Sequence, residues 1–163
     1  IYSGEFLNWN QINGFDQEIT LYGRQSSSGT FTYFRENIVK DEYSQSMIGM
    51  SGTAQIVDAI RSDKKGIGYV SSGYLNDNVM RNLKVIHIKV DENTKAYSPL
   101  VLENITSGKY PIIRPLYQYS NGKPQGKLLD YLMYQFSDEG SQIIQSNGFY
   151  PIDTQKIKSE LNS

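Results

Sequence analysis

An α/β fold, a central mixed sheet flanked by helices, is what the order of residue patterns predicts. Three observations carry it. Short apolar or glycine-bearing runs of strand type alternate with segments of helical spacing along the 163 residues. Clusters of small hydroxyl residues stand where a strand-like run gives way to a helix-like one. No internal repeat, low-complexity tract or apolar run of about 18 residues breaks the alternation.

Each element has its own local signal. Residues 19–23, Ile-Thr-Leu-Tyr-Gly, read as a short buried strand. Phe31, Phe34 and Ile38 recur at helical spacing, so a helix is expected over 30–40. Residues 45–52 read as a loop, after which Ser51 or Thr53 caps a helix whose inner face is Ile56, Val57 and Ile60. Gly66 to Val70 reads as a strand with close backbone packing at its glycines. Ile86 and Ile88 alternate with His87 and Lys89, the pattern of a half-buried strand over 84–90. A short helix over 99–105 closes at Gly108, and 112–119 is strand-like, with Pro115 confining part of it to an edge or bulge. Asn121-Gly122 is a turn signal. Leu128, Leu129, Leu132, Met133 and Phe136 mark an amphipathic helix. Ser137-Asp138-Glu139 opens another with acids in its first turn, and Asn147-Gly148 stops it. The tail from Asp153 reads as a short exposed helix.

Composition narrows the chemistry. Net charge is −1, which gives no electrostatic support for a general nucleic-acid or membrane-surface role. There is no cysteine, so disulfides, thiolate nucleophiles and Cys-based metal sites are excluded. With one histidine and no zinc-ligand spacing, a Ser-His-Asp machine has no evident base. No signal-peptide pattern opens the chain, and Ile1-Tyr2-Ser3 reads as the start of a processed or truncated chain.

One stretch stands apart. "GRQSSSGTF", Gly23 to Phe31, places an arginine, three serines, a glycine and a threonine at a strand-to-helix junction. A helix start presents unpaired N–H groups and partial positive charge, to which an anion is the natural guest. Glycine lets backbone approach a ligand, and Arg24 adds a permanently charged fork. The set suits a tetrahedral oxyanion. Ordinary capping is the alternative, but a cap needs one hydroxyl and four stand here.

The same stretch is similar to the Arg-x-x-x-Ser-Gly-Thr loop of the phosphate-binding proteins of bacterial high-affinity phosphate ABC transporters. Other stretches agree in order: "IYSGEFLNWNQING", "GIGYVSSGYL", "YPIIRPLYQYSNGKPQG" and "FSDEGSQIIQSNGFYPI". The resemblance covers nearly the whole chain and implies a type II periplasmic-binding-protein fold, two α/β lobes hinged around a phosphate. It carries over Arg24, Ser28, Gly29 and Thr30 as phosphate ligands of the second lobe. Ser27 and the second small-residue cluster, Ser51, Gly52 and Thr53, are secondary candidates, with N-capping the ordinary use of that cluster. The resemblance further implies residues 1–112 as the second lobe and 113–163 as strand and helices returning toward a first lobe. The N-terminal part of that first lobe, with its own Ser/Thr loop and carboxylate, stands ahead of Ile1 in the family.

The function that the resemblance implies is capture without chemistry: inorganic phosphate as ligand, an ABC permease as partner, no cofactor, no enzyme activity. The location is extracytoplasmic, in the periplasm or on the outer face of the membrane, lipid anchoring of the full-length protein included. Rivals are sulfate or another tetrahedral oxyanion as ligand, an adhesion or scaffold protein keeping the fold, and a serine hydrolase. Other features read blandly. His87 is a surface residue; "NGKPQGK" misses the phosphate-loop spacing and Pro124 removes a donor; Asn104-Ile-Thr is a chance sequon. Asp41-Glu42 and Lys64-Lys65 are solvated loop ends, and Trp9 and the tyrosines are packing residues before they are a sugar platform.

Overall fold

The computed structural model describes residues 1–75 and 77–151. The expected helix from Asp153 lies outside the described residues. The chain divides into two compact units, Ile1–Val85 and Ile86–Ser163.

The first unit is built on a three-stranded sheet of order β2-β1-β3, from β1 (Thr20–Arg24), β2 (Ile48–Met50) and β3 (Gly66–Gly68). Both ladders are parallel, with Tyr22 opposite Ile48 and Gly68, and Arg24 opposite Met50. The antiparallel pairings among the described residues are two isolated bridges, Asn8 with Glu18 and Ile88 with Tyr97. Helix α1 (Gly29–Phe34) connects β1 to β2, and α2 (Thr53–Ser62) connects β2 to β3. A short α3 (Asp77–Met80) comes next. The core is Leu21 and Tyr22 of β1, Ile56 and Val57 of α2, and Tyr69 just past β3. All the fully buried apolar side chains among the described residues thus lie in this unit.

Several expectations are met and several corrected. Strands at 19–23 and 66–70 form within a residue or two of the expected bounds. The helix expected over 30–40 is regular only to Phe34; Arg35–Val39 widens into a π-type turn, and Lys40 ends it at φ 57°. The amide of Asn37 donates to the Tyr33 carbonyl at 2.9 Å, a side chain inserted into the backbone ladder. The loop expected over 45–52 contains β2, an edge strand with a partly exposed Ile48 that shows no alternation in sequence. Neither Ser51 nor Thr53 caps α2: Gly52 occupies the cap position, and the Gln55 side chain turns back on the preceding backbone instead.

Asp63, at the C-terminal end of α2, ties the opposite end of the sheet from Arg24. It accepts from the Tyr22 hydroxyl at 3.1 Å and from the Lys65 N–H at 3.1 Å. Burial works to raise its pKa, but hydrogen bonds from Thr20, Lys65 and Tyr22 outweigh it and hold the carboxyl below the ordinary aspartate value. A carboxylate whose pKa is lowered on folding stabilises the fold above its unfolded pKa and ceases to do so as the pH falls through its folded pKa. Asp63→Asn is therefore expected to lower the unfolding free energy at neutral pH, and the gap to the parent should shrink below about pH 4, in the ordinary aspartate range. Urea melts at pH 7 and pH 3 check this; a gap that grows on acidification contradicts it.

The second unit carries α4 (Leu102–Thr106), α5 (Gly126–Gln135) and α6 (Asp138–Ser146). Gly108 (φ 71°) succeeds α4 and Gly148 (φ 74°) succeeds α6, as expected. Ser137 caps α6, its hydroxyl accepting from the Gly140 N–H at 3.1 Å. The α5 helix packs against α6, and Gly140 sits so close to the Tyr134 and Gln135 carbonyls that no side chain fits there. Two expected strands are absent. Residues 84–90 make only the Ile88–Tyr97 bridge, leaving Ile86 47 % exposed. Residues 112–119 join no ladder; Leu116, Tyr117 and Tyr119 are 64, 72 and 92 % exposed. A strand needs a neighbouring strand to pair its backbone, and neither segment has one among the described residues.

Candidate functional site

In open parallel sheets the ligand crevice lies outside the carboxyl ends of the strands. Here that edge is the end of β1 and β2, where Arg24 and Met50 are register partners. The chain leaves β1 through Gln25–Ser28 into α1 and leaves β2 through Ser51–Gly52 into α2. Both hydroxyl clusters singled out in the sequence therefore open helices at one edge of one sheet.

The loop after β1 is a tight turn that ends in a cap. The Ser28 N–H donates to the Gln25 carbonyl at 2.9 Å. Ser28, in extended backbone conformation, is the N-cap of α1, and its hydroxyl accepts from the Thr30 N–H at 3.2 Å. One of the four hydroxyls thus performs ordinary capping. Ser26, Ser27 and Gly29 are exposed at the same turn, and Thr30 is half-buried. Gly29 opens the helix, so its N–H is among those a helix leaves without an internal partner.

Arg24 is held from two sides. Its backbone N–H donates to the Tyr69 hydroxyl at 3.3 Å, and its Nη1 donates to Thr53 Oγ1 at 3.4 Å. The second contact joins the two small-residue clusters through the guanidinium. Among the described residues Arg24 forms no ion pair, and its Nε is buried without a hydrogen-bond partner. Its charge is therefore uncompensated among the described residues, and a buried donor left unmet costs about 1–3 kcal/mol. An anion laid against that guanidinium would meet both demands.

Ser51 and Gly52 are occupied otherwise. The Ser51 hydroxyl donates to Gln55 Oε1 at 2.8 Å, and the N–H groups of Ser51 and Gly52 reach the same oxygen at 3.1 and 3.3 Å. Thr53 is the member of this cluster that touches the first. The sequence reading missed Tyr69, which comes directly after the Gly-Ile-Gly strand and whose hydroxyl accepts from the Arg24 N–H. Among the described residues no cluster of three His, Asp or Glu side chains could hold a metal ion, and no helix is long and apolar enough to cross a membrane.

The profile of the PBP superfamily domain matches residues 1–139. The chain is 26 % identical over 163 residues to the phosphate-binding protein PstS of Borreliella burgdorferi, covering 94 % of this chain and 56 % of that one. It is 26 % identical over 163 residues to PstS of Bacillus subtilis, covering 99 % of this chain and 51 % of that one. A phosphate-bound crystal structure from Clostridium perfringens, described as a candidate phosphate ABC transporter substrate-binding protein, superposes with a TM-score of 0.70 at 21 % identity. That match covers 94 % of this chain and 60 % of the other, and it establishes the fold. The chain spans about half the length of the curated relatives it matches. These relatives are named as binding proteins, not as enzymes. With a sheet flanked by helices, a profile match over most of its length and similarity to PstS proteins from end to end, the chain belongs to the PBP superfamily.

Proposed function

We propose that this chain, largely the second lobe of a solute-binding protein serving an ABC importer, captures inorganic phosphate outside the cytoplasm. The observation that carries the reading is Arg24: a guanidinium at the carboxyl edge of the sheet, with a buried unmet Nε, no carboxylate partner among the described residues, and a hydroxyl-rich turn directly after it. The names of the relatives support the same ligand. In this reading Arg24 neutralises and orients the anion, Ser28 and Thr30 donate hydroxyl hydrogen bonds, Gly29 presents its N–H, and Ser27 lies within the same turn. Thr53 steadies the guanidinium. Ser51 and Gly52 support that helix start through Gln55.

Residues 1–112 then form the lobe that holds the anion. Residues 113–163 return toward a first lobe, which fits the exposed apolar side chains of Leu116, Tyr117 and Tyr119. Closure of two lobes buries the anion and presents the closed face to the permease. The protein performs no covalent step.

A carboxylate in such a site accepts the proton of protonated phosphate and repels sulfate, which has none to give. The groups gathered at Arg24 are donors. Calorimetry on this chain is therefore expected to find both phosphate and sulfate binding, with affinities within about tenfold of each other, a difference of about 1.4 kcal/mol. Binding of neither anion overturns the reading. Tight binding of phosphate alone overturns the donor-only account of the site.

A further inference from the structure

The Arg24–Phe31 loop is tied at its two ends by a pair of phenols. The Arg24 N–H, at the start, donates to the Tyr69 hydroxyl at 3.3 Å. The Tyr43 hydroxyl donates to the carbonyl of Phe31, in the first turn of α1, at 3.0 Å. The two hydroxyls are 3.0 Å apart. A phenol has one proton to give. Tyr43 gives its own to Phe31, so Tyr69 must donate to Tyr43. The result is one directed chain: Arg24 N–H to Tyr69, Tyr69 to Tyr43, Tyr43 to the Phe31 carbonyl.

The surroundings hold this chain rigid. The Tyr69 ring stacks on Phe34 at 4.1 Å and lies parallel to the Tyr43 ring, while Tyr2 meets Phe34, Tyr43 and Tyr69 edge-on. A Cβ at Gly23 would come within 2.7 Å of Met47 Sδ and 3.0 Å of the Tyr69 hydroxyl, so the backbone here is bare where the phenol must reach it. Burial first, and then the hydrogen bond with Tyr69, push the Tyr43 phenol above the ordinary tyrosine pKa, so it keeps the proton the chain needs.

We propose that Tyr69 and Tyr43 are positioning residues of the anion site: together they clip the ends of the Arg24–Phe31 loop and hold its donors in the spacing at which the anion binds. The ligand in this proposal rests on the phosphate reading; the clip itself rests on geometry alone. A loop held open for its guest avoids the ordering cost that a slack loop must meet on binding. A two-link bridge also has a signature, since cutting either link breaks the tie between the two ends, and cutting the second adds nothing to that loss.

The test compares Tyr43→Phe, Tyr69→Phe and the double variant with the parent, using calorimetry with inorganic phosphate and amide hydrogen exchange without it. Phenylalanine keeps the stacked rings. Each single variant is expected to bind phosphate about tenfold more weakly through lost preorganisation, and the double variant no more weakly than the worse single. Amides of residues 25–31 should exchange faster in all three, with those of α2 unchanged. Tyr2→Phe is the control: its hydroxyl donates to the Tyr22 carbonyl at 3.1 Å outside the bridge, so it should leave phosphate affinity unaltered. A purely structural role would lower thermal midpoints additively and leave affinity within twofold of the parent, which overturns the proposal. If the parent binds no phosphate, the phosphate reading fails, and the clip is judged by exchange: unchanged exchange of the loop amides in both single variants overturns it.

Discussion

Arg24→Ala is expected to weaken phosphate binding more than a hundredfold, about 3 kcal/mol, while leaving the fold intact. The magnitude comes from the bond type. Hydrogen bonds to charged groups contribute about 1.5–3 kcal/mol each, and a guanidinium can present two to one oxyanion. Removing it takes away both, together with the charge that attracts the ligand. Arg24→Lys should recover little, because an ammonium is a single point without the planar fork. The second half of the expectation concerns the free protein. Arg24 has no ion pair among the described residues and its Nε is a buried unmet donor, so truncation removes a liability. The thermal midpoint without phosphate should stay unchanged or rise, and the upward shift that phosphate produces in the parent should vanish. A variant that binds within tenfold of the parent, or that melts many degrees lower without ligand, contradicts the assignment.

Ile56→Ala is expected to cost about 4 kcal/mol of stability, toward the upper end for such truncations. Ile56 is 0 % exposed and is the largest side chain so enclosed among the described residues. It faces the bare backbone of β3. A Cβ at Gly68 would stand 2.7 Å from Ile56 Cγ2 and 2.5 Å from Ile60 Cδ1, so α2 lies directly on the strand with no side chain between. The glycine makes room for the isoleucine, and no neighbour can move in to fill the space that alanine would leave. Ile56→Val, losing one methylene, should cost only about 0.5–1.5 kcal/mol. Urea melts on both variants decide the matter; a loss under about 1 kcal/mol for the alanine variant would mean that α2 settles onto the sheet after truncation. The same helix begins at Thr53, which meets the guanidinium, so packing at Ile56 also determines where that hydroxyl stands.

The two units differ in how far their elements could be read in advance. The Leu128 to Phe136 stripe and the Ser137 start both form helices as expected, because their apolar spacing and cap act within a turn or two of chain. Strand signals fare worse. Ile86 and Ile88 alternate correctly, and 112–119 has the right apolar content, yet among the described residues the first makes a single bridge and the second joins no ladder, because pairing depends on a partner that local pattern does not describe. The converse holds for β2: Ile48-Gly49-Met50 has no alternation, and it is a strand because β1 offers it an edge. The site divides in the same manner. A hydroxyl cap somewhere in the set and Arg24 at a strand end were legible from spacing and residue type; that Ser28 is the cap was not. The contact of Arg24 with Thr53 joins residues 29 positions apart, and that of Arg24 with Tyr69 spans 45.

The sequence by itself determined the class of fold, the start of α6 and the glycine stops after α4 and α6, and it marked the junction at which an oxyanion is expected. These rest on interactions within a turn or two of chain, where periodicity, capping and glycine placement act directly. Only the tertiary structure decided that two hydroxyl clusters share one sheet edge, that Thr53 of the second meets the arginine while Ser51 and Gly52 turn to Gln55, and that two distant phenols reach the two ends of the loop. Those outcomes depend on which strands lie side by side, and parallel pairing across two helical connections is set by burial of Ile56, Val57, Leu21 and Tyr22 in a common core, a property of the folded chain as a whole.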